Sequence, residues 1–248
     1  MTVASVNLAH GRGNAINQLL VSNQAIRDNL AAITEMLGRQ KADVVALQEA
    51  DADSLWSGRF NHVEWLTDHG AYTCSLHDLH AVSPLFRFGT ALLSRMRLHR
   101  PRSVSFDPTP PTTTKGMVSA SLDWFDGVRS RSVRVVSVHL DFSRDSVRRE
   151  QALHILDTVR KAREPLILMG DFNADWDDED SAVRTLVQRG GLTAWQPAGE
   201  GFATYDDKRL DWILLSRHLR FLDYRVIQEE LSDHRPVVAE IAFLEGQP

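Results

Sequence analysis

The chain has 248 residues, of which 43% are hydrophobic and 25% are charged, as in ordinary soluble globular proteins. Its formal net charge of -5 excludes a globally basic surface of the kind that attracts nucleic acid, and its only cysteine, Cys74, excludes an intrachain disulfide. The N-terminus has no basic region followed by a long apolar one, and no apolar run approaches membrane-spanning length. These features predict a cytoplasmic, monomeric protein without a signal peptide or a transmembrane segment.

The apolar pattern alternates between the periods of strands and helices along the chain. Strands are predicted at residues 2–8, 42–48, 88–94, 97–106, 116–124, 132–140, 166–169, 210–216, 220–228 and 236–243. Helices are predicted at residues 22–39, 58–69, 144–163 and 179–188. Asp126-Gly127 is a strong turn dipeptide that joins two of the strands in a hairpin. This order, without long spacers or repeats, predicts one α/β domain over residues 1–248, with helices outside packed mixed sheets.

Three of the predicted helices have a face that the spacing assigns to the core. For the first helix, Ser22 or Asn23 is the expected N-cap. The residues expected to point inward are Ile26, Leu30, Ile33 and Leu37 in this first helix, and Val147, Leu153, Leu156 and Val159 in the third. The second helix is expected to bury Phe60, Val63, Trp65 and Leu66.

The most informative stretch is residues 166–175, Leu-Ile-Leu-Met-Gly-Asp-Phe-Asn-Ala-Asp. The apolar residues at its start predict a buried strand that ends at Gly170. If the chain stays extended after Gly170, Asp171 and Asn173 lie on one side and Phe172 lies on the other. A carboxylate beside an amide at a strand end can orient a water molecule and a phosphoryl oxygen. The alternative interpretation is a plain turn, since Gly-Asp-x-Asn is also good loop chemistry.

Polar side chains recur at other strand ends and in the loops that follow them. They are Asn7, Glu49, His139, Asp211, Asp233 and His234. The carboxylates are hard oxygen ligands that suit Mg²⁺ or Mn²⁺, whereas the chain lacks the cysteine cluster or His-x-x-x-His helix typical of zinc sites. The imidazoles supply acid/base capacity. The motifs of serine esterases and of P-loop nucleoside triphosphatases are both missing from the sequence.

Five motifs in this order resemble the endonuclease/exonuclease/phosphatase family. They are Leu47-Gln48-Glu49, Ser137-Val138-His139-Leu140, Gly170-Asp171-Phe172-Asn173-Ala174-Asp175, Arg209-Leu210-Asp211-Trp212-Ile213-Leu214 and Ser232-Asp233-His234-Arg235-Pro236-Val237. The family includes pancreatic-type deoxyribonucleases, apurinic endonucleases, inositol polyphosphate 5-phosphatases and bacterial sphingomyelinases. The resemblance extends from Asn7 to Val237. It implies a DNase I-like four-layer α/β sandwich, two packed mixed sheets flanked by helices, with a divalent-metal phosphoesterase site at the rim.

The resemblance also implies a metal site. Glu49 becomes the principal metal ligand, Asn7 lies beside it, and Asp233 is a second possible contact to the metal. The expected cofactor is Mg²⁺, with Mn²⁺ as the alternative.

The same resemblance implies catalytic roles for five residues. Asp171 orients or deprotonates the attacking water, and Asn173 holds a phosphoryl oxygen. Asp211 fixes the orientation and charge of His234, which stabilises the pentacoordinate phosphorus. His139 is a candidate acid for the leaving oxygen. These roles match what phosphoester hydrolysis requires: a positioned water, a metal for the developing charge, and donors around the phosphoryl oxygens.

The substrate class depends on weaker signals. Apurinic endonucleases of the family usually show a Trp-Asn-Val-Asn-Gly-like opening and Gln-Glu-x-Lys, where this chain has Ser-Val-Asn-Leu-Ala at residues 5–9 and Gln-Glu-Ala-Asp at residues 48–51. The acidic run at residues 175–180 would repel a polyanion. Segments 115–118, 203–205 and 209–211 look more like bacterial members that are grouped with lipid and small-molecule phosphodiesterases.

The favoured substrate is therefore a lipid-type or small-molecule phosphodiester, with a phosphomonoester also open. The alternative is a nuclease acting on DNA or RNA. A non-catalytic binding scaffold is disfavoured because every catalytic residue type is present. Outside the motifs, Lys115 could reach a substrate phosphate or be an ordinary solvated lysine. Arg12, Trp56 and Arg59 are candidates for lining the groove, and His10 is interpreted as a surface or packing histidine.

Overall fold

The computed structural model describes residues 1–160, 164–196 and 198–244, and this part of the chain forms two sheets flanked by helices. The strands are β1 (Thr2–Asn7), β2 (Val44–Asp51), β3 (Cys74–Val82), β4 (Arg87–Ser94), β5 (His99–Ser105), β6 (Gly116–Phe125), β7 (Ser130–His139), β8 (Leu166–Asp171), β9 (Leu192–Ala194), β10 (Asp211–Ser216), β11 (Leu219–Val226) and β12 (Val237–Phe243). The helices are α1 (Asn23–Arg39), α2 (His62–His69), α3 (Asp145–Val159) and α4 (Ala182–Gly190).

Both sheets are six-stranded and mixed. The first has the order β11-β12-β1-β2-β4-β3, and the second has the order β5-β6-β7-β8-β10-β9. Each contains one parallel pair, β1 with β2 and β7 with β8, while the other neighbours are antiparallel. The predicted four-layer α/β sandwich of the DNase I type is confirmed.

Three apolar clusters hold the layers together. Side chains such as Val44 and Ile167 fill the space between the two sheets. Helices α1 and α2 cover the outer face of the first sheet, and α3 and α4 cover the outer face of the second. Central strands are therefore buried on both sides, which explains their continuous apolar runs. Within the described ranges, no helix has the length and apolar character needed to cross a membrane.

Most predicted elements are confirmed within a few residues, but two strands were missed. Strand β3 is an edge strand with the sequence Cys-Ser-Leu-His-Asp-Leu-His-Ala-Val, and most of its residues are half-buried. Its polar residues interrupt the apolar alternation by which a strand is recognised in a sequence. Strand β9 is only three residues long. The N-cap prediction for α1 holds, because the Ser22 hydroxyl accepts a hydrogen bond from the Ala25 amide at 3.1 Å.

The start of α2 was predicted wrongly, and the inner face of α3 was predicted correctly only at its C-terminal end, where Leu156 is buried and Val159 packs against the core. Helix α2 begins at His62 and not at residue 58, since Gly58 and Arg59 both have left-handed backbone that a helix cannot contain. Of the α3 residues expected inside, only Leu156 is buried. The buried face instead includes Arg148 and Gln151. The predicted end of α3, at residues 161–163, lies outside the described residues.

A local polar network explains the rotated face of α3. The Arg148 guanidinium donates to the carbonyl of Asp141 at 3.1 Å, and the Gln151 side chain accepts from the Asp141 amide at 2.9 Å. The spacing of apolar residues could not predict this network, because the network consists of polar side chains that pack inward.

Candidate active site

Strand register brings three predicted residues side by side. On β8, Asp171 pairs with His139 of β7 on one side and with Asp211 of β10 on the other. All three side chains are buried. Just before Asp171, a Cβ atom on Gly170 would lie 2.0 Å from the carbonyl oxygen of Val138, so this position requires glycine for β8 to lie close to β7.

Polar side chains connect the two sheets at the same edge. The Asn7 side-chain amide, at the end of β1, donates to Asp171 Oδ2 at 3.0 Å. Nearby, the Gln48 amide donates to the Ser137 hydroxyl at 3.1 Å, and that hydroxyl donates to the Leu47 carbonyl at 2.9 Å. Residues from both halves of the chain therefore meet at one rim of the sandwich.

His234 and Asp211 form a buried pair. The two atoms His234 Nδ1 and Asp211 Oδ2 are 2.8 Å apart, and Asp171 Oδ2 lies 3.9 Å from the same nitrogen. Burial alone would lower the pKa of His234, but the charges of Asp211 and Asp171 outweigh it and raise the pKa to about 10. Backbone amides of Leu210 and Asp211 donate to the Thr204 hydroxyl, which fixes the start of β10. The imidazole is therefore held as a cation.

Asp171 is held by donors on both of its oxygens. Oδ1 accepts from the Asn173 amide at 2.8 Å, and Oδ2 accepts from Asn7. Burial raises the pKa of Asp171 to about 7, against the opposing effect of the His234 charge. Asn173 has left-handed backbone, and its side-chain amide donates to the Leu140 carbonyl at 3.1 Å. This carboxyl group can therefore lose or accept a proton near neutral pH.

Glu49 projects from an irregular position in β2. Its backbone is left-handed at a register shift between Leu47 and Ala50, and its side chain keeps 21% exposure. His10 Nε2 lies 3.2 Å from Glu49 Oε2, while His10 Nδ1 lies 2.7 Å from the buried Asp51 carboxylate. Burial opposes ionisation of Glu49, but the charges of His10 and Lys115 outweigh it, so its pKa is lowered.

His10 therefore belongs to the site and is not a simple surface histidine. It has left-handed backbone, as do its two neighbours Ala9 and Gly11, and this turn directs the ring between two carboxylates. Trp56 supports the arrangement, since its indole N–H donates to Asp51 at 2.8 Å and its ring packs on His10. Only the left-handed turn brings these groups together, and the sequence motifs did not reveal it.

Lys115 is a site residue whose role the sequence analysis left open. It is buried, and its ammonium nitrogen lies 3.1 Å from Nε2 of His139. A lysine can only donate, so this contact uses the lone pair of His139 Nε2. Burial, together with the charges of Lys115 and His234, lowers the pKa of His139 well below its ordinary value. The next residue, Gly116, pairs with His139 across the β6–β7 hairpin, and this register places Lys115 beside the imidazole.

A cleft of about 560 Å³ opens over these residues. Six of the eight predicted site residues line it, namely Glu49, His139, Asp171, Asn173, Asp233 and His234. Asn7 and Asp211 are not among its lining residues, but their side chains contact Asp171 and His234, which are. Asp233 forms an ion pair with Arg12. A larger open cleft of about 780 Å³ lies around the β6–β7 turn and carries none of the predicted site residues.

The comparisons with known proteins agree with this geometry. The model of the endonuclease/exonuclease/phosphatase family matches residues 4–234. The chain belongs to this family. Members of the family are hydrolases of phosphoester bonds. A search of curated protein sequences finds no match.

Solved structures of family proteins share the fold. An endonuclease/exonuclease/phosphatase from Beutenbergia cavernae is 17% identical, with a TM-score of 0.77 over 98% of this chain and 71% of that one. The catalytic domain of human nocturnin is 20% identical, with a TM-score of 0.73 over 98% of this chain and 94% of that one. A mannosyl-6-phosphatase from Bacteroides thetaiotaomicron is 16% identical, with a TM-score of 0.69 over 98% and 100% of the two chains. At these identities the likeness establishes the fold alone.

Enzymes of this family generally use divalent metals, and the donor atoms fit a hard cation. Glu49 offers an ionised, partly exposed carboxylate to the cleft, with Asp233 on the same surface. Asp171, Asp211 and His234 form a tight buried cluster with ligand atoms within 4.8 Å of one another, but the hydrogen bonds to Asn7 and within the Asp211–His234 pair already occupy it. Asn7 Oδ1 accepts from the Ala9 amide. Glu49 is therefore the best placed of the predicted ligands.

Proposed function

We propose that the chain hydrolyses a phosphodiester bond of a lipid-type or small-molecule substrate, with Mg²⁺, or alternatively Mn²⁺, as the required metal. The observation that carries this proposal is the convergence in one cleft of a carboxyl group with a pKa of about 7, a buried imidazolium and an ionised glutamate. These groups are Asp171, His234 and Glu49. A general base, a fixed positive charge and a metal ligand are what attack of water on phosphorus requires.

Asp171 is proposed as the group that orients and deprotonates the attacking water. A base is most effective when its pKa lies near the working pH, and burial brings Asp171 to that range. The donors Asn7 and Asn173 hold its oxygens in place, so the carboxylate needs no reorganisation. Asn173 borders the same cleft and is assigned to a phosphoryl oxygen.

Glu49 is proposed to hold the metal, with Asp233 as a second contact and Asn7 beside it. When bound, the metal supplies positive charge to the phosphoryl oxygens. The His10 ring contacts Glu49 Oε2 and so fixes the direction in which this carboxylate points.

His234 is proposed to stabilise the negative charge that develops on the phosphoryl oxygens. Asp211 keeps it protonated, so the charge is present before the substrate binds. His139 is assigned a hydrogen bond to the substrate rather than proton donation, since its lowered pKa leaves it neutral. The buried Lys115 ammonium beside it is a further cation for the phosphate.

The surroundings of the cleft support a small phosphoester over a polymer. Apart from Asp171 and the proposed metal ligands, four acidic side chains line it, Asp145, Asp178, Asp206 and Asp207, against two basic ones, Arg148 and Lys208. Such a rim repels the phosphates that flank the scissile bond in a nucleic acid. A single phosphodiester can still contact the His234 imidazolium that lines the cleft.

A substrate panel tests the proposal. The purified protein is assayed with Mg²⁺ against bis-p-nitrophenyl phosphate, p-nitrophenyl phosphate, plasmid DNA, abasic DNA and sphingomyelin. We expect turnover of a small or lipid phosphodiester that is lost in Asp171→Asn and kept in Asp157→Asn, an exposed aspartate on α3. Efficient cleavage of DNA, with none of the small or lipid esters turned over, would establish the nuclease alternative instead.

A further inference from the structure

Exposed aliphatic side chains are concentrated on three loops. We call these segments, residues 14–21, 54–57 and 82–86, the apolar loops. Their exposed aliphatic side chains are Ile16, Leu19, Leu20, Leu55, Val82 and Leu85. The exposure reaches 102% for Ile16 and 83% for Leu20, so these side chains touch almost nothing of their own chain. Contiguous exposed apolar surface of this kind marks an interaction site.

Hydrogen bonds join the three loops into one surface. The Gln18 side-chain amide donates to the Trp56 carbonyl at 3.1 Å, and the Trp56 amide donates to the Leu85 carbonyl at 3.3 Å. The Ser54 hydroxyl also bonds the backbone of Arg87, which directly follows the third loop. The exposed side chains therefore belong to neighbouring segments rather than to scattered positions.

This surface borders the candidate active site. The Gln18 amide that contacts Trp56 also donates to the His10 carbonyl at 3.3 Å, and His10 contacts Glu49. The first loop follows Arg12, the ion-pair partner of Asp233 in the cleft. Whatever covers the apolar loops thus lies next to the scissile phosphoester.

The chemistry of the loops favours a bilayer. The three loops contain no charged residue, and the charged residues that flank them in sequence are three arginines and one aspartate: Arg12, Arg59, Arg87 and Asp53. Fully projecting aliphatic side chains need no complementary pocket when the partner is fluid hydrocarbon, and flanking arginines complement lipid phosphates. A nucleic acid would find no charged side chain on them to pair with its phosphates.

We propose that the apolar loops dock onto the surface of a phospholipid bilayer and place the cleft over a phosphoester that the bilayer carries. Leu19 and Leu20 enter the acyl boundary, and Arg59 and Arg87 contact phosphate groups. The orientation part of this inference rests on the proposed phosphoester hydrolysis, whereas the docking itself does not require turnover.

Vesicle sedimentation tests the docking. The full chain is mixed with vesicles of phosphatidylcholine and phosphatidylglycerol, and the bound fraction is compared between the wild type and the double variant Leu19→Ser/Leu20→Ser. The matched control is Val128→Ser/Leu222→Ser, two exposed apolar positions around the other cleft. We expect the loop variant to lose at least about tenfold in vesicle affinity and the control to bind like the wild type.

Turnover of the soluble ester bis-p-nitrophenyl phosphate separates the two proposals. We expect it to be unchanged in both double variants, with unchanged melting temperatures. Absence of vesicle binding by the wild type, or equal losses in the loop variant and the control, overturns the docking. So does a wild-type dimer in gel filtration that Leu19→Ser/Leu20→Ser dissociates, which would make a second copy the occupant. Vesicle binding without ester turnover overturns the proposed function and leaves the docking intact.

Discussion

The Asp211→Asn substitution removes one charge next to His234 and keeps the shape of the side chain. Asp211 Oδ2 lies 2.8 Å from His234 Nδ1, and neither side chain is appreciably exposed. The carboxylate is the main reason that the pKa of His234 is raised to about 10 despite burial. Without that charge, the imidazole should be largely neutral at mildly alkaline pH.

The size of the effect follows from the distance. Two unit charges 2.8 Å apart interact by about 6 kcal/mol at an effective dielectric constant of about 20, which corresponds to roughly 4 pKa units. Loss of this interaction returns the pKa of His234 to its ordinary range of about 6.5 or below. Since one preorganised charge is worth about 10²–10³ in rate, kcat/KM should fall by about 10² or more at pH values of about 8 and above.

The pH profile distinguishes this mechanism from simple damage. The negative charge of Asp211 also raises the pKa of Asp171, so in the variant the base ionises at lower pH as long as His234 is still protonated. Both limbs of the kcat/KM profile should therefore move towards acid, and part of the lost activity should return below about pH 7. The assay is hydrolysis of bis-p-nitrophenyl phosphate with alkaline quenching, with Asp157→Asn as the control and melting curves to confirm folding. A loss that is equal at every pH, or an unchanged alkaline limb, refutes the reasoning.

The remaining predictions concern the same rim. Asp171→Asn and His234→Ala should each lower kcat by at least about 10², and the double variant should lose much less than the product of the two losses, measured on one phosphodiester; fully multiplied losses would contradict a shared transition state. Glu49→Gln should weaken Mg²⁺ binding in calorimetry with an unchanged melting temperature, and affinity equal to that of the wild type would remove Glu49 as the ligand. Gly170→Ala should reduce the free energy of unfolding in urea by about 2–4 kcal/mol, because its Cβ would overlap the Val138 carbonyl; no loss would contradict the close β7–β8 contact.

The sequence was sufficient to predict the layers of the fold and the motif residues of the site. Buried strands such as β8 have continuous apolar runs, and the motif residues at strand ends indicated which side chains would meet. Register then confirmed that Asp171 lies between His139 and Asp211. Edge strand β3 was not predicted, because a strand at the edge of a sheet need not be apolar on both faces.

The groups that tune the site could not be predicted in this way. His10 reaches Glu49 only because three successive residues adopt left-handed backbone, of which Gly11 alone is a glycine. Lys115 becomes buried because β6 and β7 pair in one register, which places it against His139. Both contacts arise from tertiary geometry, and neither residue type differs from the surface histidines and lysines elsewhere in the chain.

The most direct test of the central claim is the rate at which the purified chain releases p-nitrophenolate from bis-p-nitrophenyl phosphate. The account predicts turnover by the wild type with Mg²⁺, loss of that turnover in EDTA, recovery on renewed addition of Mg²⁺, and at least about 10² less in Asp171→Asn than in Asp157→Asn. Full turnover in EDTA, or a rate for Asp171→Asn equal to that of the control, would contradict metal-dependent hydrolysis at this cleft.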